Sequence, residues 1–228
     1  MDITTTANPV NPERAMAYFR KKVPLTDAQW NSIESANNDW AFRVAGIADL
    51  DLIDHVQSAL QSAIDTGTQF EAFKAAVGES LEKAWGGTVK EPGWRLETIF
   101  RTNLLSSYNA GHYEQAQEQI DDRPYAIFDY VEDDALCEDC SAVSELIGHE
   151  AIPLDEWGGE IPPLHHCCRC GFITLSREEA EAMGILEKMP DVSSHIADGF
   201  NEDPGDEQLP DPDEYTDVVR EYLGRFLD

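Results

Sequence analysis

Residues 137–170 open on Cys137-Glu138-Asp139-Cys140, run through twenty-four further residues, and close on His165-His166-Cys167-Cys168-Arg169-Cys170. All five cysteines of the 228-residue chain lie in this stretch. A C-x2-C knuckle turns two sulfurs to one side, and a second pair from a distant segment closes a tetrahedron around one ion. That second pair is either His165 with Cys168, spaced H-x2-C, or Cys168 with Cys170 on one face of an extended segment. Cys167 points away if Cys168 and Cys170 point inward, and His166 competes poorly with His165. The candidate metal ligands are therefore Cys137, Cys140, His165, Cys168 and Cys170, and the expected ion is zinc, because sulfur-rich closed sites select it. An odd number of cysteines crowded this closely suits a metal site in a reducing compartment better than a disulfide framework. Four protein ligands leave no open position for water, so the zinc is expected to be structural, clamping a loop-rich segment with few apolar residues of its own. His112, His149 and His195 stand alone and receive no role.

Working outward, the chain upstream reads as helix. A short helix is expected from Glu13 to Lys22, ending before Pro24. Thr26 with Gln29 forms a capping box, and Trp30, Ile33, Trp40 and Val44 continue a helical face to about Ala48. Leu52, Ile53, Val56, Leu60, Ala63 and Ile64 recur at three and four, and Thr66-Gly67 stops that helix. Thr68 with Glu71 reads as a second capping box, for a helix with Phe70, Phe73, Val77 and Leu81 inward and Gly86-Gly87 at its end. From Trp94 to about Ile120 the pattern is one long helix, striped by Leu96, Ile99, Phe100, Leu104, Ser107, Tyr108 and Gly111. Glu97 and Arg101 are four apart in the favourable order for an ion pair. Arg101, Asn103 and Tyr108 read as hydrogen-bonded polar groups on or beside this stripe.

Downstream the period changes. Tyr125 to Val131 is β-branched and aromatic, a strand, and Cys170 to Leu175 is a returning strand. Ser176 with Glu179 caps a short helix to about Met183. Residues 190–213 are rich in Pro and acids and read as a linker. Beyond it Tyr215, Val218, Val219, Tyr222, Leu223, Phe226 and Leu227 share one helical face, which either folds back on the body or docks into a partner's groove. The expected fold is α+β: an N-terminal helical bundle with one long helix, then a small β-containing zinc-clamped module, then an acidic C-terminal tail. The boundaries are an arm at 1–12, a helical region at 13–120, a small α+β module with the Cys/His cluster at 121–189, and an acidic linker with an amphipathic helix at 190–228.

Composition narrows the function. Sixteen Lys plus Arg face forty-five Asp plus Glu, for a net charge of −29 and a pI near 4.3. Residues 131–176 hold one basic group against ten acidic, and residues 177–228 hold four against sixteen. So little basic surface disfavours binding to nucleic-acid phosphates or to anionic membranes. No run of eighteen apolar residues occurs, and Met1 to Pro9 has no secretory pattern.

The run Arg95-Leu-Glu97-Thr-Ile-Phe-Arg101-Thr102-Asn103, followed by Ser107-Tyr108-Asn109-Ala-Gly111, resembles the signature helix of the phage Mu F-like minor head (head morphogenesis) proteins. That family then shows a C-x2-C in an acidic setting and a closing Pro-Pro-x-His-x-x-Cys-Arg-Cys, matched here by Cys137/Cys140 and by Pro162-Pro163-Leu164-His165-His166-Cys167-Cys168-Arg169-Cys170. The stretches Glu13 to Arg20, Val23 to Thr26, Ala45 to Leu50 and Gly199 to Gly205 are similar too, so the resemblance covers roughly residues 13–205. This chain has His166-Cys167 where the family typically has Pro-Asn. The motif favours His165 and Cys168 over His166 and Cys167. The resemblance implies a non-enzymatic minor capsid component of a phage or prophage. Its partners would be portal, capsid and scaffold proteins at the portal vertex, and its location the virion or, during assembly, the host cytoplasm. Two other classes compete with it. A zinc-dependent enzyme acting on nucleic acid or cell wall would draw an acid/base from Glu138, Asp139, Glu145 or Glu150. An acidic DNA mimic would need carboxylates at phosphate-like spacing.

Overall fold

A computed structural model of the chain describes residues 12–32, 40–158 and 160–200. The expected arm at 1–12, but for Pro12, and the expected C-terminal amphipathic helix fall outside the described residues. Within them the chain is α+β, with seven α-helices and two small sheets. It divides into two compact units, and the long helix contributes to both.

One unit spans Met16–Leu104. It begins in α1 (Pro12–Arg20), which ends ahead of the two-residue strand β1 (Val23–Pro24). The Thr26–Gln29 capping box is present: the Thr26 hydroxyl accepts from the Gln29 N–H, and the Gln29 side chain accepts from the Thr26 N–H. The helix it opens, α2 (Asp27–Trp30), is a single turn, which corrects the expected helix to Ala48. Trp40 and Val44 are buried as expected, but outside any helix, and Ala41 and Phe42 between them are buried as well. There β2 (Ala41–Phe42) runs parallel to β1. Val23 and Leu25 donate their N–H groups to the carbonyls of Trp40 and Phe42 at 2.8 Å each. The intervening Pro24 has no N–H to give, so it sits where the ladder needs none. Bulky aromatic spacing thus served strand pairing here, although it also fitted a helical face.

α3 (Leu50–Thr66) packs against α4 (Phe70–Trp85). Ile53, Val56, Leu60, Ala63 and Ile64 form the inward face of α3, and Phe73, Val77, Leu81 and Trp85 that of α4. Asp49 caps α3 through the N–H groups of Asp51 and Leu52, and Gly67 ends it at φ +69°, where a Cβ would be strained. The expected box at Thr68 is replaced: Gln69 is the N-cap of α4 and makes no side-chain capping bond. Thr68 instead pairs its hydroxyl with that of Thr66 at 2.6 Å. The first part of α5 (Pro92–Glu118) closes this core with Leu96 and with Phe100, whose ring meets those of Phe70 and Phe73 at 5.6 and 5.3 Å. The Glu97–Arg101 pair forms at 2.7 Å, and Asn103 donates to the Ile99 carbonyl at 2.8 Å.

The other unit comprises residues up to Ala15 and Leu105–Asp206. A Cβ on Gly111 would meet the Ala15 nitrogen at 2.7 Å, so glycine is what lets the start of α1 approach α5 this closely. Arg14 holds that approach with Glu118 at 2.6 Å and Glu114 at 3.5 Å. The three-stranded sheet has the order β4-β3-β5, built from β3 (Tyr125–Asp129), β4 (Ile152–Pro153) and β5 (Gly171–Leu175), with β3 antiparallel to both neighbours. The Ser176–Glu179 capping box opens α7 (Arg177–Met183). Buried Arg123 ties that cap to the sheet, donating to the Glu179 carboxylate at 2.8 Å and to the Thr174 hydroxyl at 3.2 Å.

Two departures bear on the cysteines. The segment read as loop-rich contains α6 (Glu138–Ile147), with Cys140, Val143, Ser144 and Ile147 buried on one face. The residues 190–200 read as linker are packed. Val192 is fully buried, and Met189 and Ile196 lie against the same core as Trp157, Phe172 and Cys168.

Candidate metal centre

The knuckle sits on the first turn of α6. Cys137 is the N-cap, with its Sγ accepting from the Cys140 N–H at 3.3 Å, and Cys140 lies three residues into the helix. The cap geometry therefore places both sulfurs at the helix N-terminus, where the backbone dipole favours thiolates. Cys140 is buried and Cys137 half-buried.

The opposite wall is a tight turn. The Cys168 N–H donates to the His165 carbonyl at 3.1 Å, and Cys167 stands at φ +59°. The turn throws His166 outward, edge-on to the Phe200 ring at 4.9 Å. His165 points inward. Its Nδ1–H donates to the His166 carbonyl at 2.9 Å, which leaves Nε2 as the inward-facing nitrogen. This is the tautomer a metal-ligating histidine uses.

The two walls meet. Nε2 of His165 lies 3.0 Å from the Cys137 sulfur and 3.1 Å from that of Cys140, and the Cys140 and Cys168 sulfurs are 3.6 Å apart. Cys137, Cys140 and His165 have donor atoms all within 4.8 Å of one another, and so do Cys140, Cys168 and Cys170. The two sets share Cys140, and between them they contain the five residues that sequence spacing named as candidates. This cluster could hold a metal ion. Three sulfurs with one imidazole, or four sulfurs without it, would fit a tetrahedral zinc site.

Close packing of these groups shifts their proton affinities. Hydrogen bonding from Cys140, then Cys170, pulls the Cys168 thiol pKa down, while the bond to Cys168 pushes Cys140 up. His165 is raised to about 10, first by its bond to Cys168. Metal binding to these groups would require the loss of their protons.

The carboxylates named for acid/base work, Glu138, Asp139, Glu145 and Glu150, are exposed, and among the described residues none converges with these donors. Asp139 instead pairs with His195 at 3.3 Å. Sequence reasoning gave no role to Asp133 or Arg169. Arg169 grips Asp133 through its guanidinium with two hydrogen bonds, one of 2.7 Å. That fork holds the Asp133 carboxyl down at about 2, and it ties the loop entering Cys137 to the Cys168–Cys170 segment. Only the placement of Arg169 between two cysteines hinted at it.

The polar run of α5 also reaches this wall. Asn109 donates to the Cys170 carbonyl at 3.1 Å, and the His112 ring stacks on Phe172 at 4.3 Å. The later part of the helix run, at Asn109, is thus in contact with the cysteine run within one unit. The family model for Phage Mu protein F like protein matches residues 54–173, more than half of the chain, and spans both runs. The chain belongs to the phage Mu F-like family. It is 28% identical over 194 residues to the Mu-like prophage FluMu F protein of Haemophilus influenzae, covering 78% of this chain and 46% of that one. It is 26% identical over 190 residues to the putative capsid assembly protein F of Escherichia phage Mu, covering 76% of this chain and 42% of that one. The chain thus spans under half the length of either Mu F relative. No solved structure matches it.

Proposed function

We propose that this Mu F-like chain is a head-morphogenesis protein of a phage or prophage, a minor structural component that assists capsid assembly without catalysis. The observation that carries the reading is the family match over residues 54–173, since a relative it resembles is named as a putative capsid assembly protein. Its partners are portal, capsid or scaffold proteins, and it acts at the portal vertex, in the host cytoplasm during assembly and then in the virion. Physical chemistry supports protein contacts over nucleic-acid contacts. A chain of net charge −29 is repelled by packaged DNA, so other proteins must hold it in place. No described helix is long and apolar enough to cross a membrane.

The Cys/His cluster serves this role as a structural zinc clamp. Cys137 and Cys140 from α6, with His165 and Cys168 from the turn, are the favoured set, and Cys170 is the fifth candidate. A closed set of four protein donors leaves no position for a reacting water.

The test is genetic. Deleting the coding segment from the phage or prophage that carries it should abolish DNA-filled heads. The wild-type chain supplied in trans should restore them, and Cys140→Ser should not. Normal infectious particles without the chain would overturn the assembly reading.

A further inference from the structure

We propose that Asn109 of α5 is a positioning residue for the metal centre, fixing where the Cys168–Cys170 segment presents its sulfurs. The proposal rests on the metal-site reading above.

Cys170 is the last residue before β5, and its thiol is buried beside those of Cys140 and Cys168. Its carbonyl can only accept, so the 3.1 Å contact fixes the Asn109 amide with Nδ2 toward Cys170. The other end of that amide lies over the next residue. A Cβ added to Gly171 would stand 3.4 Å from Asn109 Oδ1, an ordinary contact distance, so the amide lies close against this residue's backbone. One turn along α5, His112 stacks on Phe172 with the rings 10° from parallel, and Tyr113 meets the same ring edge-on. α5 therefore grips three consecutive residues, Cys170, Gly171 and Phe172. Of these grips only the Asn109 bond acts on a residue that carries a candidate ligand.

The physical consequence is specific. Arg169 anchors the outer side of this segment to Asp133, and Asn109 anchors its inner end. Two cysteines bracketing Arg169 are then held from both directions. Removing the inner anchor frees the Cys170 peptide to rotate, which moves the sulfurs on either side of Arg169 relative to Cys137 and Cys140. The hydrophobic contacts of Phe172 would keep the sheet in place meanwhile. Outer groups that orient ligands in this way typically change metal affinity about 10–100-fold.

The experiment uses the full chain with cobalt(II) and zinc(II) as probes. Asn109→Asp keeps the shape but removes the donor, Asn109→Ala removes both, and His112→Ala loosens the neighbouring ring stack while leaving the amide. Metal affinity is read by competition with a chromophoric chelator, coordination by the cobalt charge-transfer and d–d bands, and fold by circular dichroism at saturating zinc. The expected result is affinity about 10–100-fold weaker and altered cobalt bands for both Asn109 variants, with wild-type dichroism once zinc saturates. His112→Ala should melt earlier yet keep wild-type cobalt bands. Wild-type affinity and bands in Asn109→Asp would overturn the proposal, as would failure to regain the fold at saturating zinc, which would make the role merely structural. A wild-type chain that binds neither metal would instead overturn the metal-site reading itself, and this proposal with it.

Discussion

The sulfur of Cys137 accepts the N–H of Cys140 at 3.3 Å, so one candidate ligand caps the helix that carries the other. Cap and ligand are normally separate duties. Here they share an atom, and they can be separated by mutation. Cys137→Ser keeps a good N-cap acceptor but is a poor zinc ligand, whereas Cys137→Ala supplies neither. Both variants should lose metal in a zinc-binding assay. After removal of metal by chelation, Cys137→Ala should be about 1 kcal/mol less stable than Cys137→Ser in urea unfolding. Equal stabilities would show that the cap contributes nothing.

Cys167 offers a stabilising change. It sits at φ +59°, a left-handed conformation that costs most side chains but suits Asn, and the turn's closing bond runs from the Cys168 N–H to the His165 carbonyl. Cys167→Asn should stabilise the chain by about 1 kcal/mol and leave metal content unchanged. Thermal melts with metal analysis check both. Loss of metal in this variant would mean that Cys167, not one of the inward thiols, is a ligand.

His112 gives a pH prediction. Burial lowers its pKa from 6.5 to about 4, so the folded chain keeps it neutral against Phe172. Above pH 6.5 it is neutral folded or unfolded and makes no pH-dependent contribution. As pH falls from 6.5 toward 4 the unfolded chain takes up the proton first, and stability is lost. The loss attributable to this residue is on the order of 2–3 kcal/mol. His112→Phe should retain stability over that window relative to wild type, measured by urea unfolding at pH 7 and at pH 4. Parallel declines in both proteins would contradict the assignment.

How far the structure was legible in the sequence varies by element, and the reasons are local. α3, α4 and α5 were readable because their apolar residues recur at helical spacing without interruption. The boxes at Thr26 and Ser176 were readable because both partners are good capping types. α6 was hidden because its cap is a thiol and its first turn is Glu138-Asp139, which reads as an acidic loop. Yet Cys140, Val143, Ser144 and Ile147 already carried the helical spacing. Trp40 misled because a large aromatic satisfies a helix face and a strand pair alike, and only the partner at Val23–Pro24 decides. Val192 sat in a Pro- and acid-rich run whose composition outweighed one apolar residue, though that residue is fully buried. At the candidate site, the five clustered Cys and His residues could be named from spacing. The grips of Asn109 on Cys170 and of Arg169 on Asp133 could not, since they join residues 61 and 36 positions apart.

The claim on which the rest depends is that α6 and the His165–Cys170 segment are pinned together by one ion. X-ray absorption at the zinc edge, with metal stoichiometry on the same purified chain, tests it most directly. The account predicts one zinc per chain, with sulfurs at about 2.3 Å and one imidazole nitrogen at about 2.0 Å. A folded chain carrying no metal above background, or zinc bound only by oxygen donors, would contradict it.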